Sequence, residues 1–208
     1  MHMWSMLEMT NANIKDARRR KSMAMVLANV ARQPGVAFTA AAGHGGRQAA
    51  HRLFSDEQLT IPDLLGGHYE QTVKRIHSEA GSNLILVVQD TTEFDFTGLK
   101  KASGLGYIND TAARGIFGHA AMALTPDGLP LGLLHLHLYV RDDADYGKRA
   151  ERRDRSVTDK ESYRWIETLK SVEAQIPIGQ HIMMVQDREG DIFALFEAPK
   201  RVTTEVIS

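Results

Sequence analysis

Two apolar runs of strand length, each closing on a carboxylate, constrain the fold of this chain more than any other feature. One is Leu84-Ile85-Leu86-Val87-Val88-Gln89-Asp90-Thr91-Thr92; the other is Ile182-Met183-Met184-Val185-Gln186-Asp187-Arg188-Glu189-Gly190-Asp191. Short apolar runs bounded by polar residues read as buried strands. The segments around them complete a pattern. Strands are expected over 83–90, 116–124, 131–140 and 181–186, with a helix over 160–175 and a short one over 191–197. The turn Thr125-Pro126-Asp127-Gly128-Leu129-Pro130 joins the second and third strands as a hairpin. An antiparallel trio followed by a helical crossover returns the fourth strand parallel to one of the others. If that one is the first strand, Asp90 and Asp187 meet at one end of the sheet.

Ahead of residue 81 the periodicity is helical. Met23, Val26, Leu27 and Val30 fall at helix spacing within 14–33, and Pro34-Gly35 stops that helix. Residues 43–46 read as a flexible glycine turn before a short helix over 47–54. A third helix over 61–80 carries Leu64, Leu65, Val73 and Ile76 on its apolar side and is weakened by Gly66-Gly67. Residues 1–13 show no clear pattern. The expectation is an α+β chain with a helical region over 14–80 and a mixed sheet with helices over 81–208. The absence of cysteine removes disulfides and thiolate metal sites, and fits a reducing cytoplasm. No apolar run reaches the roughly 18 residues of a membrane span.

Asp90 and Asp187 are candidate ligands for Mg²⁺ or Mn²⁺, which take oxygen donors and often use one or two carboxylates plus substrate phosphates. Their bland reading is that Asp commonly starts a turn. Arg188 is placed to contact a phosphate or to orient Asp187, and Asp191 to cap the helix that follows or to ligate. The net charge of −1 conceals basic runs. Arg18, Arg19, Arg20 and Lys21, with Arg47 and Arg52, suit phosphate contacts that position DNA without reading its sequence; their bland reading is a solvated helix surface. Residues 141–155, with Lys148, Arg149, Arg152 and Arg153, read as a solvated loop or a DNA-tracking one. His135 and His137 share a strand face but lack a third His or Cys partner, and with His119 they read as packing residues.

Asp16-Ala17-Arg18-Arg19-Arg20, His51-Arg52-Leu53-Phe54, Gln89-Asp90-Thr91-Thr92, Gly132-Leu133-Leu134-His135 and Asp187-Arg188-Glu189-Gly190-Asp191-Ile192 together resemble the insertion-sequence-four family of bacterial DDE transposases, of the transposon-five type. The resemblance implies a helical DNA-binding region followed by an incomplete ribonuclease-H-like core. It implies that Asp90 and Asp187 are two members of a metal triad using Mg²⁺ (or Mn²⁺) for cut-and-paste transposition. It also implies that Arg18, Arg19 and Arg52 contact the double-stranded DNA of transposon ends. A homodimer in the full-length form and a cytoplasmic, nucleoid-associated location in bacteria follow from the same likeness. In the family a β-rich insertion and a helix with Tyr, Arg, Glu and Lys supply the third carboxylate. This sequence ends before them, and Glu205 lies in the next expected strand rather than on that helix. The expectation is therefore the front half of a transposase with two of three catalytic carboxylates and little activity of its own. The alternatives are a catalytically inactive remnant that binds transposon-end DNA, or a decayed product with an exposed sheet edge.

Overall fold

Helices precede strands along the chain in the computed structural model, which describes residues 3–79, 83–108, 113–142 and 162–208. The chain divides into two compact units, Met1–Lys74 and Arg75–Ser208.

The first unit is built from α1 (Met3–Met9), α2 (Ala17–Ala31), α3 (Phe38–Ala41), α4 (Gly43–Phe54) and most of α5 (Ile61–Glu79). Asp16 stands in extended conformation before α2 and accepts a hydrogen bond from the Arg18 backbone N–H at 2.8 Å. This cap starts the helix three residues later than the apolar pattern suggests. Ile14, expected inside the helix, instead lies buried in a core with Met9, Ala12, Ala24 and Leu53. Residues 1–13 are not patternless: α1 forms there because Met6 and Met9 pack into that same core. The glycine stretch 43–46 is not a turn but the first turn of α4. Burial of Ala42 and Ala50 holds it helical against glycine's intrinsic cost. Thr60 and Asp63 cap the start of α5 reciprocally, Asp63 accepting from the Thr60 N–H at 3.0 Å and Thr60 Oγ1 from the Asp63 N–H at 3.3 Å. The Thr60 hydroxyl, the Thr60 N–H and Asn13 all donate to the Asp63 carboxylate and hold it below the usual carboxylate range.

The second unit is a six-stranded mixed sheet. Its strands are β1 (Leu84–Asp95), β2 (Gly106–Tyr107), β3 (Arg114–Leu124), β4 (Pro130–Tyr139), β5 (His181–Val185) and β6 (Thr204–Ile207). The order is β2-β3-β1-β5-β6, with β4 also paired to β3. β1 runs antiparallel to β3 from Leu86↔Leu124 to Asp95↔Gly115, and parallel to β5 from Leu84↔His181 to Val88↔Val185. The first strand does not stop at Asp90. It continues to Asp95 because β3 supplies main-chain partners beyond the point where β5 ends, so residues 93–95 are strand and not loop. β2 likewise places a short strand within residues 93–114, whose polar, glycine-containing sequence reads as a loop or extended excursion.

Along β1, Ile85, Val87 and Gln89 are buried while the alternate positions are wetter, the period of two that a half-covered sheet imposes. α6 (Tyr163–Gln175) packs on β3 and β4 and buries Trp165, Ile166, Leu169 and Val172. α7 (Phe193–Glu197) follows, and its N-cap is Ile192, without a side-chain cap. Asp191, expected as that cap, instead ends a 3₁₀ turn over Arg188–Gly190. The basic loop Lys148–Arg155 lies outside the described residues. Among the described residues no helix is long and apolar enough to cross a membrane.

Candidate metal centre and nucleic-acid interface

The parallel register fixes where the two carboxylates stand. Val88 faces Val185, and Asp90 and Asp187 each follow two residues later, at the same end of neighbouring strands. Both are exposed. Asp90 Oδ1 accepts from the Thr91 N–H at 2.7 Å. Asp187 caps the 3₁₀ turn, its Oδ1 accepting from the Glu189 N–H at 2.9 Å. Each carboxylate is thus oriented through one oxygen, while the other oxygen makes no hydrogen bond to the described residues. Two hard oxygen donors at a solvent-open sheet end suit Mg²⁺ or Mn²⁺, with water and phosphate oxygens completing the shell. Among the described residues no group of three or more His, Asp or Glu side chains is placed to hold a metal ion. Arg188 is exposed on the turn directly after Asp187.

Beneath the carboxylates lies a buried polar cluster. Gln89 and Gln186 occupy the positions preceding the two Asp residues, and so face the opposite side of the sheet. Gln89 Nε2 donates to Gln186 Oε1 at 2.9 Å, and Gln186 Nε2 donates to the Gly190 carbonyl at 2.8 Å. His119, fully buried on β3, lies 3.3 Å through Nε2 from Gln89 Oε1 and 2.8 Å through Nδ1 from Thr91 Oγ1. Arg164 of α6 donates from Nε to Thr91 Oγ1 at 3.1 Å and pairs with Glu189 at 3.2 Å. The His119 ring also stands edge-on to Trp165 at 4.5 Å. Burial pushes the His119 pKa down to about 3, with the Arg164 guanidinium and the neighbouring His135 and His137 adding to the effect. His119 is therefore neutral at physiological pH.

His135 lies 3.0 Å through Nδ1 from Ser171 Oγ, and burial lowers its pKa too. Sequence reasoning gave no role to Gln89, Thr91, Arg164 or Gln186. The available signal was the repeated Gln-Asp pair, which sets an amide on the buried face of both strands.

In the first unit Arg18 projects into solvent, its side chain 93% exposed, with only a loose 3.5 Å approach to Asp16. Arg19 is engaged: its Nη1 pairs with Asp56 at 2.8 Å, just past the end of α4. Arg20 turns inward to the Ile14 carbonyl, and Arg47 donates to the Thr39 carbonyl at 2.8 Å. Arg52 is exposed in the last turn of α4.

Residues 1–59 match the model of the transposase DNA-binding family, a stretch that spans α1 to α4 and includes Arg18, Arg19 and Arg52. That likeness supports a transposase with DNA as its partner. No curated protein matches the chain.

Proposed function

We propose that the protein is a DDE transposase of the insertion-sequence-four type. In this reading the helical unit grips transposon-end DNA, and a ribonuclease-H-like sheet presents Asp90 and Asp187 to Mg²⁺ or Mn²⁺. The observation that carries the reading is the likeness of residues 1–59 to transposase DNA-binding domains. The neighbouring parallel strands that bring Asp90 and Asp187 to one sheet end support the catalytic half.

When bound, a divalent ion supplies charge stabilisation to the attacking and leaving oxygens of a phosphodiester displacement. The chain's own residues orient and position. Thr91 N–H and Glu189 N–H fix one oxygen of each carboxylate, leaving the other toward solvent, where a phosphate arrives. Arg188, on the adjoining turn, faces the incoming backbone charge. On the DNA-binding helices Arg18 is available as it stands, and Arg19 exchanges Asp56 for a phosphate.

A second reading is DNA binding without strand chemistry. It is favoured by the absence, among the described residues, of a three-ligand group. One experiment separates the two: enrichment of a random duplex pool on the whole chain, then incubation of the enriched duplex with Mg²⁺. A selected motif, bound with affinity that falls steeply between about 50 and 200 mM salt, supports end recognition. Nicking that Asp90→Asn abolishes selects the transposase reading; binding without nicking selects the second. Failure to retain any duplex at low salt sinks both.

A further inference from the structure

The side chains of the buried cluster under the carboxylates have no part in the reading above, yet they form a circuit in which every bond from Arg164 to Gly190 runs in one donor direction. Arg164 donates to Thr91, the Thr91 hydroxyl to His119 Nδ1, and His119 Nε2–H to Gln89. Gln89 then donates to Gln186, and Gln186 to the Gly190 carbonyl. Glu189, the chain neighbour of Gly190, also accepts from Arg164, so that Arg164 donates at both ends and closes the circuit. A neutral His119 with its proton on Nε2 satisfies both of its neighbours.

The members bracket both carboxylates. Gln89 and Thr91 flank Asp90; Gln186 precedes Asp187, and Glu189 and Gly190 follow it. The main-chain ladder between the two strands ends at Val88↔Val185. Past that pair β1 stays with β3, while β5 turns into the 3₁₀ segment. Side chains, not backbone bonds, therefore join the strands at the level of the carboxylates. Gly190 fits this arrangement, since a Cβ there would meet the Gln186 side chain.

We propose that this circuit is the positioning device of the metal centre, with His119 and Arg164 as positioning residues that hold Asp90 and Asp187 at a ligating separation without touching the ion. The proposal rests on the reading of Asp90 and Asp187 as metal ligands. Partners that orient ligands in this indirect way typically change metal affinity by about 10–100-fold when removed.

The test measures Mn²⁺ affinity of the whole chain by electron paramagnetic resonance, beside thermal unfolding of each variant. Thr91→Val keeps the side-chain shape and the backbone bond to Asp90 but breaks the circuit; Thr91→Ser keeps the hydroxyl. The expected result is Mn²⁺ binding about tenfold weaker in Thr91→Val and within about twofold of wild type in Thr91→Ser. Gln186→Leu should weaken binding as Thr91→Val does. Folded Thr91→Val and Gln186→Leu chains that bind Mn²⁺ as tightly as wild type overturn the positioning role while leaving the ligand reading intact. Wild-type Mn²⁺ binding that survives Asp90→Asn overturns the ligand reading, and the proposal with it. Nitrogen NMR of His119 in the unmutated chain gives a check that needs no variant. A neutral ring protonated at Nε2 is expected; protonation at Nδ1 breaks the circuit's direction and overturns the proposal.

Discussion

At the scale of single residues, His119 makes the molecule's stability depend on pH in a predictable direction. Its folded pKa of about 3 lies below the ordinary value of 6.5. Between these values the unfolded chain binds a proton that the folded chain refuses. Stability is therefore fully present above about pH 6.5 and is lost as pH falls toward 3, by up to about 1.4 kcal/mol per pH unit. Urea unfolding at a series of pH values should show this slope between pH 5 and 6.5, above the range where carboxylates titrate, and His119→Phe should flatten it. An unchanged slope in the variant would assign the effect elsewhere; His135, shifted the same way, would be next. The placement of residues at this sheet end was only half legible in the sequence. Asp90 and Asp187 stand out because an apolar strand ending in charge is a one-dimensional pattern. The Gln89–Gln186 pair joins residues 97 apart, and Thr91, His119 and Arg164 come from three separate elements, so only the folded sheet brings them together.

At the scale of elements, adjacent glycines in α5 have opposite duties. A Cβ at Gly67 would lie 2.5 Å from the Glu8 carbonyl oxygen and 2.9 Å from the Ala12 nitrogen, both rigid backbone atoms. Gly66 has only the Asn11 carbonyl, at 3.9 Å. Helix propensity alone favours alanine at both positions. The expected outcome is that Gly66→Ala stabilises by about 0.5–1 kcal/mol, whereas Gly67→Ala destabilises by about 1–3 kcal/mol through overpacking. Chemical denaturation of the two variants checks this, and equal shifts would refute the assignment. Glycine was the main source of misreading at this scale. Gly66-Gly67 look like a weak point and Gly43–Gly46 like a turn, because local propensity carries no information about which backbone passes close by. The strands were better anticipated, since alternation and apolar runs depend on neighbours only through burial. The first strand was cut short at Asp90 because residues 91–95 are polar and take their partners from β3.

At the scale of the whole molecule, the proposed function puts DNA gripping and metal holding in separate units. Two variants, one double and one single, should therefore dissociate them. Arg18→Ala with Arg19→Ala should weaken duplex binding and shallow its salt dependence by about one phosphate contact per residue, with the log–log slope changing by about 0.9 for each. It should leave Mn²⁺ affinity untouched. Asp90→Asn should do the reverse. Fluorescence anisotropy with a duplex and Mn²⁺ titration read the two quantities independently, and a substitution that moves both would show the functions to be inseparable. The division between helices and sheet was plain in the sequence, because hydrophobic period changes from helical to strand-like after α5.

The pairing of β1 with β5 also sets an order in time. A chain emerging from the ribosome completes the basic helices by Lys74, but Asp187 is translated more than a hundred residues later. At about 5–20 residues per second that interval is on the order of ten seconds. Once β3 is made, β1 has it on one side and still lacks β5 on the other. A nascent chain thus carries its arginine-bearing helices well before its two carboxylates can stand at one sheet end, and under the proposed function translation itself separates the gripping of a nucleic acid from any chemistry upon it.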